Sequence, residues 1–251
     1  MDKLVEWEIT MKCNYSCGYC TNLDKSIYPN LDNKQIYTFI EQLGKDHPGT
    51  EIFVFGGEPF VHPKIDYILY CFNLLKIPFV VQTNFSKHSR EVMKTINHPF
   101  RINISVHPSE VDIEDVVDGL YECDQSIINI IDVMYVGATS LSYYFTITKA
   151  INHPHIYLTP IADFGDGISD TVLDEYNKLR DKFSKAIKFE DVERLGRQRS
   201  EVWADRKFNT INKPCLYKDK YFLYGPDFRL HNCCYRITTD GICPKTKCFL
   251  M

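Results

Sequence analysis

LVEWEITMKCNYSCGYC, residues 4–20, is the stretch that decides the fold. Leu4–Thr10 reads as a β-strand, and Cys13, Cys17 and Cys20 follow it at once on a CxxxCxxC loop. Working outward, Glu51–Phe55 is a second short apolar run, ended by Gly56–Gly57. Further strand-like runs occupy Phe79–Thr83, Ile102–Val106, Ile127–Val136 and Ile156–Ile161. Helical stripes fall between them. Residues 33–43 carry Ile36, Phe39, Ile40 and Leu43, with Gly44 as a stop. The later stripes are Ile65–Ile68–Leu69–Phe72–Leu75, Val92–Met93–Ile96 and Ile113–Val116–Val117–Leu120. Strands that alternate with helices pair in parallel, because each helix carries the chain back across the sheet. The sequence therefore predicts an α/β fold, either an open doubly wound sheet or an incomplete parallel (β/α)6 barrel. In both, functional groups gather at the carboxyl ends of the strands.

Beyond about residue 165 the pattern changes. Residues 167–190 read as one amphipathic helix with Leu173, Tyr176, Leu179, Phe183 and Ile187 on a face, and Ser169–Asp170–Thr171 suits its cap. Residues 191–208 are polar and irregular, and from about 209 the chain is rich in cysteine, aromatic and turn residues. The expected organisation is a barrel over residues 1–165, a connecting helix and linker over 166–208, and a small cysteine-rich domain over 209–251.

Composition narrows the function classes. At 44% hydrophobic residues a full core can form, and a net charge of −4 gives no whole-chain basic field for nucleic acid. Lys182–Lys188 and Arg194–Arg199 read as solvated, mixed-charge segments. The first residues show no apolar leader and no run long enough to span a bilayer, so a cytoplasmic protein without a membrane partner is expected. Ten cysteines in such a chain are better read as metal ligands than as disulfides. Three sit at residues 13–20 and five between Cys215 and Cys248, which suggests two sites; Cys71 and Cys123 stand alone in apolar patterns and read as core.

Three thiolates on one short loop can wrap a cubane and leave its fourth iron free of protein, whereas structural zinc takes four protein ligands. CxxxCxxC after the first strand, with Tyr19 before its last cysteine, resembles the cluster loop of the radical S-adenosylmethionine (SAM) superfamily. Phe55-Gly56-Gly57-Glu58-Pro59 at the end of the second strand resembles that family's GGEP segment. Physically, two glycines allow a close backbone approach, and Glu58 and nearby carbonyls can accept from an ammonium group. Thr83-Asn84 resembles a TNG-like strand end, with Phe85 in place of the glycine, and Ser105 stands where the family often has a polar cofactor contact. His107 reads as a packed, hydrogen-bonded histidine.

The tail supplies a third set. Cys215 precedes a hairpin with the turn Pro226-Asp227-Phe228, and Cys233, Cys234, Cys243 and Cys248 follow. This is similar to the shortened auxiliary-cluster (twitch, SPASM-like) domain of some radical SAM enzymes, whose turn is often PDG; here Phe228 stands at the glycine. Cys215, Cys233, Cys243 and Cys248 are the candidate ligands, with Cys234 the first to be dropped. The terminal Cys248-Phe-Leu-Met251 also fits a prenylation box, which the cluster role of Cys248 opposes.

The resemblance implies an incomplete (β/α)6 barrel in which Cys13, Cys17 and Cys20 hold a 4Fe–4S cluster. Tyr19, Gly57, Glu58, Asn84 and Ser105 are the expected SAM-binding residues. It implies reductive cleavage of SAM to a 5′-deoxyadenosyl radical, which abstracts hydrogen from a peptide side chain, a sugar or a nucleoside. An external reductant such as flavodoxin or ferredoxin feeds the cluster, and an auxiliary 4Fe–4S cluster aids oxidation or substrate binding. Two alternatives stay open: a radical SAM enzyme whose tail binds structural zinc, and a non-catalytic, cysteine-rich zinc-binding interaction protein.

Overall fold

β1 (Leu4–Thr10) lies inside the sheet, flanked by β2 (Ile52–Gly56) on one side and β7 (Tyr221–Tyr224) on the other. The computed structural model describes residues 3–20, 31–160, 170–183, 185, 187–188 and 221–231. Within them, α1 (Asn33–Asp46) joins β1 to β2, α2 (Ile65–Leu74) leads to β3 (Phe79–Thr83), and α3 (Lys87–Thr95) leads to β4 (Ile102–Val106). Then come α4 (Ile113–Glu122), β5 (Ile128–Tyr135), α5 (Ala138–Ala150), β6 (Ile156–Pro160), α6 (Asp170–Phe183), β7 and β8 (Leu230–His231). The strand order is β6-β5-β4-β3-β2-β1-β7-β8. Among the described residues seven strands run parallel and β8 turns back antiparallel to β7, so the sheet is an open, incomplete barrel with β6 and β8 at its described edges.

Alternation along β1 explains how the sheet works. Val5, Trp7 and Ile9 join the core formed with Ile36, Ile40 and Leu43 of α1, while Glu6, Glu8 and Thr10 point to the other face. On β4 the same alternation puts Ile102, Ile104 and Val106 in the core and Asn103 and Ser105 on the inner face, with His107 next in line. That inner face is polar but not open: Glu6 is 8% exposed and takes a 2.5 Å hydrogen bond from the Tyr221 hydroxyl. Asp132 of β5 is 9% exposed and takes one from Thr159 Oγ1 at 3.0 Å.

Several expectations change. Gly44 does not stop α1, which runs on to Asp46; it is small because a side chain there would sit 2.6 Å from Ile77 Cδ1. α5 lacks an amphipathic stripe that would announce it, yet it buries Ser140, Tyr143, Tyr144 and Ile147. α6 ends at Phe183, which is 38% exposed, and Ile187 is buried outside the helix. Cys71 is fully buried, but Cys123 is only half-buried, at the end of α4. The alternation was expected to end at six strands. The hairpin of residues 221–231 instead adds a seventh parallel strand, in register Leu4↔Tyr221 to Trp7↔Tyr224.

This docking is aromatic. Phe228, at the hairpin turn, stacks on Phe39 of α1 at 4.2 Å and lies 5.9 Å from Trp7, while His47 Nε2 and the Tyr224 hydroxyl are 2.9 Å apart. The candidate tail ligands Cys215, Cys233, Cys234, Cys243 and Cys248 lie outside the described residues, as do Arg194–Arg199.

Candidate functional site

The cysteine loop leaves β1 at Thr10 and is sewn at once to the turn after β2. Gly57 N donates to Thr10 O at 2.7 Å and Glu58 N to Lys12 O at 2.9 Å. Residues 10–12 cross so closely over this turn that any side chain at Gly57 would collide with the Lys12 carbonyl. Gly56 holds φ at +148° with its backbone against Thr10 O, a second place where a Cβ has no room. What approaches the two glycines is thus the chain's own backbone, which anchors the cysteine loop.

Glu58 lies wholly inside. Its carboxylate accepts from Phe60 N (3.2 Å), Thr83 Oγ1 (2.8 Å) and Asn84 N (2.7 Å), so it caps the 3-10 turn Pro59–Val61 and fixes the end of β3. Burial pushes its pKa up to about 7, against the opposing pull of these donors. Asn84, 7% exposed, then reaches the cysteine loop: its Nδ2 donates to Asn14 Oδ1 at 2.8 Å and lies 3.8 Å from Cys13 Sγ. Asn14 in turn donates to Ser86 Oγ at 2.7 Å, and Ser86 caps α3 through Ser89 N. Phe85, between them, is left-handed at φ 55°; its carbonyl accepts from Arg90, which forms a two-pronged pair with Asp115.

β4 holds the other side of the loop. His107 Nδ1 lies 2.7 Å from the Tyr19 hydroxyl and 3.7 Å from Cys17 Sγ. Its ring lies nearly parallel to Tyr19, with centroids 6.0 Å apart, and edge-on to Tyr15 at 6.1 Å. Three residues on, Glu110 Oε2 accepts from Ser16 N at 3.0 Å. Burial lowers His107 to about 4, with Glu110 pulling the other way, and pushes both tyrosines above the usual phenol value. Burial, then the Glu110 charge, raises the Cys17 thiol to about 11. Ser105 faces β3 instead, where its Oγ accepts from Gln82 Nε2 at 2.5 Å.

Among the described residues Cys13, Cys17 and Cys20 form no disulfide and are half-buried, with Cys20 N bonded to Cys17 O at 3.0 Å. Among the described residues no three His, Cys, Asp or Glu side chains converge as a single metal ion would need. A cubane sets different terms, because each thiolate meets a different iron and the donors stand around the cluster. Three soft thiols on one anchored loop, beside amide and imidazole groups near two of the sulfurs, fit such a group. Of the residues expected to hold cofactor, Gly57, Glu58 and Asn84 meet under the loop, Tyr19 lies on it beside His107, and Ser105 sits lower on β4. The supporting set of Asn14, Ser86, Ser89 and Glu110 was not found from sequence. Its contacts with Cys13-to-Tyr19 span 70 residues or more, and no local pattern marks them.

Residues 7–157 match the model of the Radical SAM superfamily. The S-adenosylmethionine-dependent nucleotide dehydratase RSAD2 of Danio rerio is 33% identical over 82 residues, 30% of this chain and 22% of that protein. RSAD2 of Oncorhynchus mykiss is 30% identical over a stretch of the same length. Streptococcus suis SuiB bound to S-adenosylmethionine superposes with a TM-score of 0.64 at 14% identity, covering 95% of this chain and 62% of that one. Native anSMEcpe with bound AdoMet does so at 0.60 and 10% identity, covering 96% and 77%. The chain thus spans about a fifth of the curated relatives it matches and under two thirds of SuiB.

Proposed function

This chain belongs to the Radical SAM superfamily, which implies an enzyme using SAM and a 4Fe–4S cluster, and from that premise we propose that Cys13, Cys17 and Cys20 hold the cluster on three of its irons. When bound, the cluster and SAM supply an organic radical able to take a hydrogen atom from substrate. The chain's own work is to place and shield these groups. Tyr19, Gly57, Glu58, Asn84 and Ser105 are the proposed SAM-binding set. Within it Glu58 acts by holding the turn, since its carboxylate already accepts from Phe60, Thr83 and Asn84. Backbone carbonyls of the 56–57 turn and of the β3 end are then the acceptors within reach of an ammonium group. The substrate, a peptide side chain, a sugar or a nucleoside, lies against the inner face of the sheet, and a flavodoxin- or ferredoxin-like protein supplies the electron in the cytoplasm.

The observation that carries this reading is the cysteine loop sewn to the glycine turn by Gly57 N–Thr10 O and Glu58 N–Lys12 O. We also propose the division into a barrel over 1–165, a connector over 166–208 and an auxiliary-cluster domain over 209–251. Connectivity supports the last part: β7 starts and β8 ends on one side of the hairpin, while Cys215 precedes Tyr221 and Cys233 follows His231 closely in the chain. The test is metal analysis of anaerobically purified protein. Changing Cys13, Cys17 and Cys20 together to Ala should remove about four irons per chain and abolish release of 5′-deoxyadenosine from SAM. Unchanged iron would refute the assignment. Zinc in the tail, at about one per chain, would turn the second site into a structural one.

A further inference from the structure

His107 is the one side chain of β4 and its following turn that meets the cysteine loop at three residues. Its ring lies between Tyr15 and Tyr19, its Nδ1 is 2.7 Å from the Tyr19 hydroxyl, and the same nitrogen is 3.7 Å from Cys17 Sγ. The turn that presents it is closed by Glu110 N donating to His107 O at 2.9 Å, and Glu110 itself holds Ser16 N. Residues 107–110 therefore grip residues 15–19 at both ring and backbone. The 2.7 Å separation from Tyr19 requires one hydrogen between the two atoms. A cysteine sulfur bound to iron has no proton and can only accept, so in the tautomer that carries its hydrogen on Nδ1 this nitrogen faces two acceptors, Tyr19 O and Cys17 Sγ, and that is the tautomer the proposal takes.

We propose that His107 is a positioning residue for the cluster: it orients the loop through Tyr19 and, by donating from Nδ1 to Cys17 Sγ, sets the reduction potential of the cluster that Cys17 would help to hold. Donation to a cluster sulfur stabilises the reduced, more negative state and so raises the potential. The inference rests on the proposed ligation by Cys17.

The test is a redox titration of the full chain without SAM. It follows the electron paramagnetic resonance component that the triple variant of Cys13, Cys17 and Cys20 lacks. In His107→Phe, which keeps a ring and loses both nitrogens, the midpoint should fall by at least ~59 mV, a tenfold change in a one-electron equilibrium. His107→Asn, whose amide nitrogen falls near the place of Nδ1, should stay close to the wild type. An unchanged midpoint in His107→Phe, or an equal fall in His107→Phe and His107→Asn, overturns the inference while leaving the cluster assignment standing. Should His107→Phe take up no iron, His107→Leu decides by the same titration: a fall supports the role, and an unchanged midpoint or a rise ends it. A wild-type chain without iron withdraws the proposed function and this role together.

Discussion

Phe85 and Phe228 both stand left-handed, at φ 55° and 64°, in turns where the family resemblance would place glycine. For a residue with a Cβ this costs about 1–2 kcal/mol, and each turn offsets it differently. Phe85 is 2% exposed, its amide bonded to Thr83 Oγ1 at 3.1 Å, its carbonyl to Arg90, and the Arg90 guanidinium 5.4 Å from its ring. Phe228 is half-buried, closes its turn by donating to Gly225 O at 3.0 Å, and is held by stacking on Phe39. One turn is fixed by a polar lattice shared with the cysteine loop, the other by aromatic area shared with α1 and β1. The glycine preference of a turn is local, and tertiary packing of either kind overrides it.

The contrast can be broken first at Phe85. Phe85→Ala keeps the strained backbone, empties a core site and strips Arg90 of its ring, so a loss of about 3–5 kcal/mol is expected by equilibrium denaturation. A loss no greater than that of Phe228→Ala would erase the distinction between the two turns.

Next in size is the carboxylate beneath the same turn. Glu58 rises from 4.5 unfolded to about 7 folded, so the folded state binds its proton more tightly. Its contribution is therefore fully present below pH 4.5 and is lost as pH climbs to about 7, on the order of 3 kcal/mol in all. Comparing wild type with Glu58→Gln across that window should show the variant gaining relative stability as pH increases. A constant difference would mean that the three donors, not burial, govern this group.

The hairpin turn should respond less. Phe228→Ala removes a half-buried stacked ring and should cost about 1–2 kcal/mol. Smallest and sharpest is Phe228→Gly, which relieves the left-handed strain and should recover roughly 0.5–1 kcal/mol relative to Phe228→Ala. If the glycine variant is the less stable of the two in denaturation midpoints, strain is not what distinguishes this position.

Legibility in the sequence followed the range of the interactions. β1, β3 and β4 match the expected strands residue for residue, because short apolar runs bounded by turn residues need no distant partner to be read. Gly44 misled because smallness served a contact with Ile77 rather than a helix end. α5 was silent because its buried Tyr143 and Tyr144 sit among serines and threonines with little contrast between faces. Likewise the motif residues Cys13, Gly57 and Glu58 were visible as a pattern, but the hydrogen bonds that join them through Thr10, Lys12 and Asn84 were not. Nor was the pairing of Tyr221 with Leu4, which no periodicity encodes.

That last pairing has a consequence during synthesis. Tyr221 is made 217 residues after its partner Leu4 (221 − 4). At roughly 5–20 residues per second, the outer ladder of β1 waits on the order of 10–40 s for the strand that covers it. For that time the nascent barrel carries a strand edge open to wrong partners, the kind of edge on which chains aggregate. The hairpin is thus a late-arriving guard on a strand made long before it, and the order of translation, not only the final packing, bears on how well this chain folds.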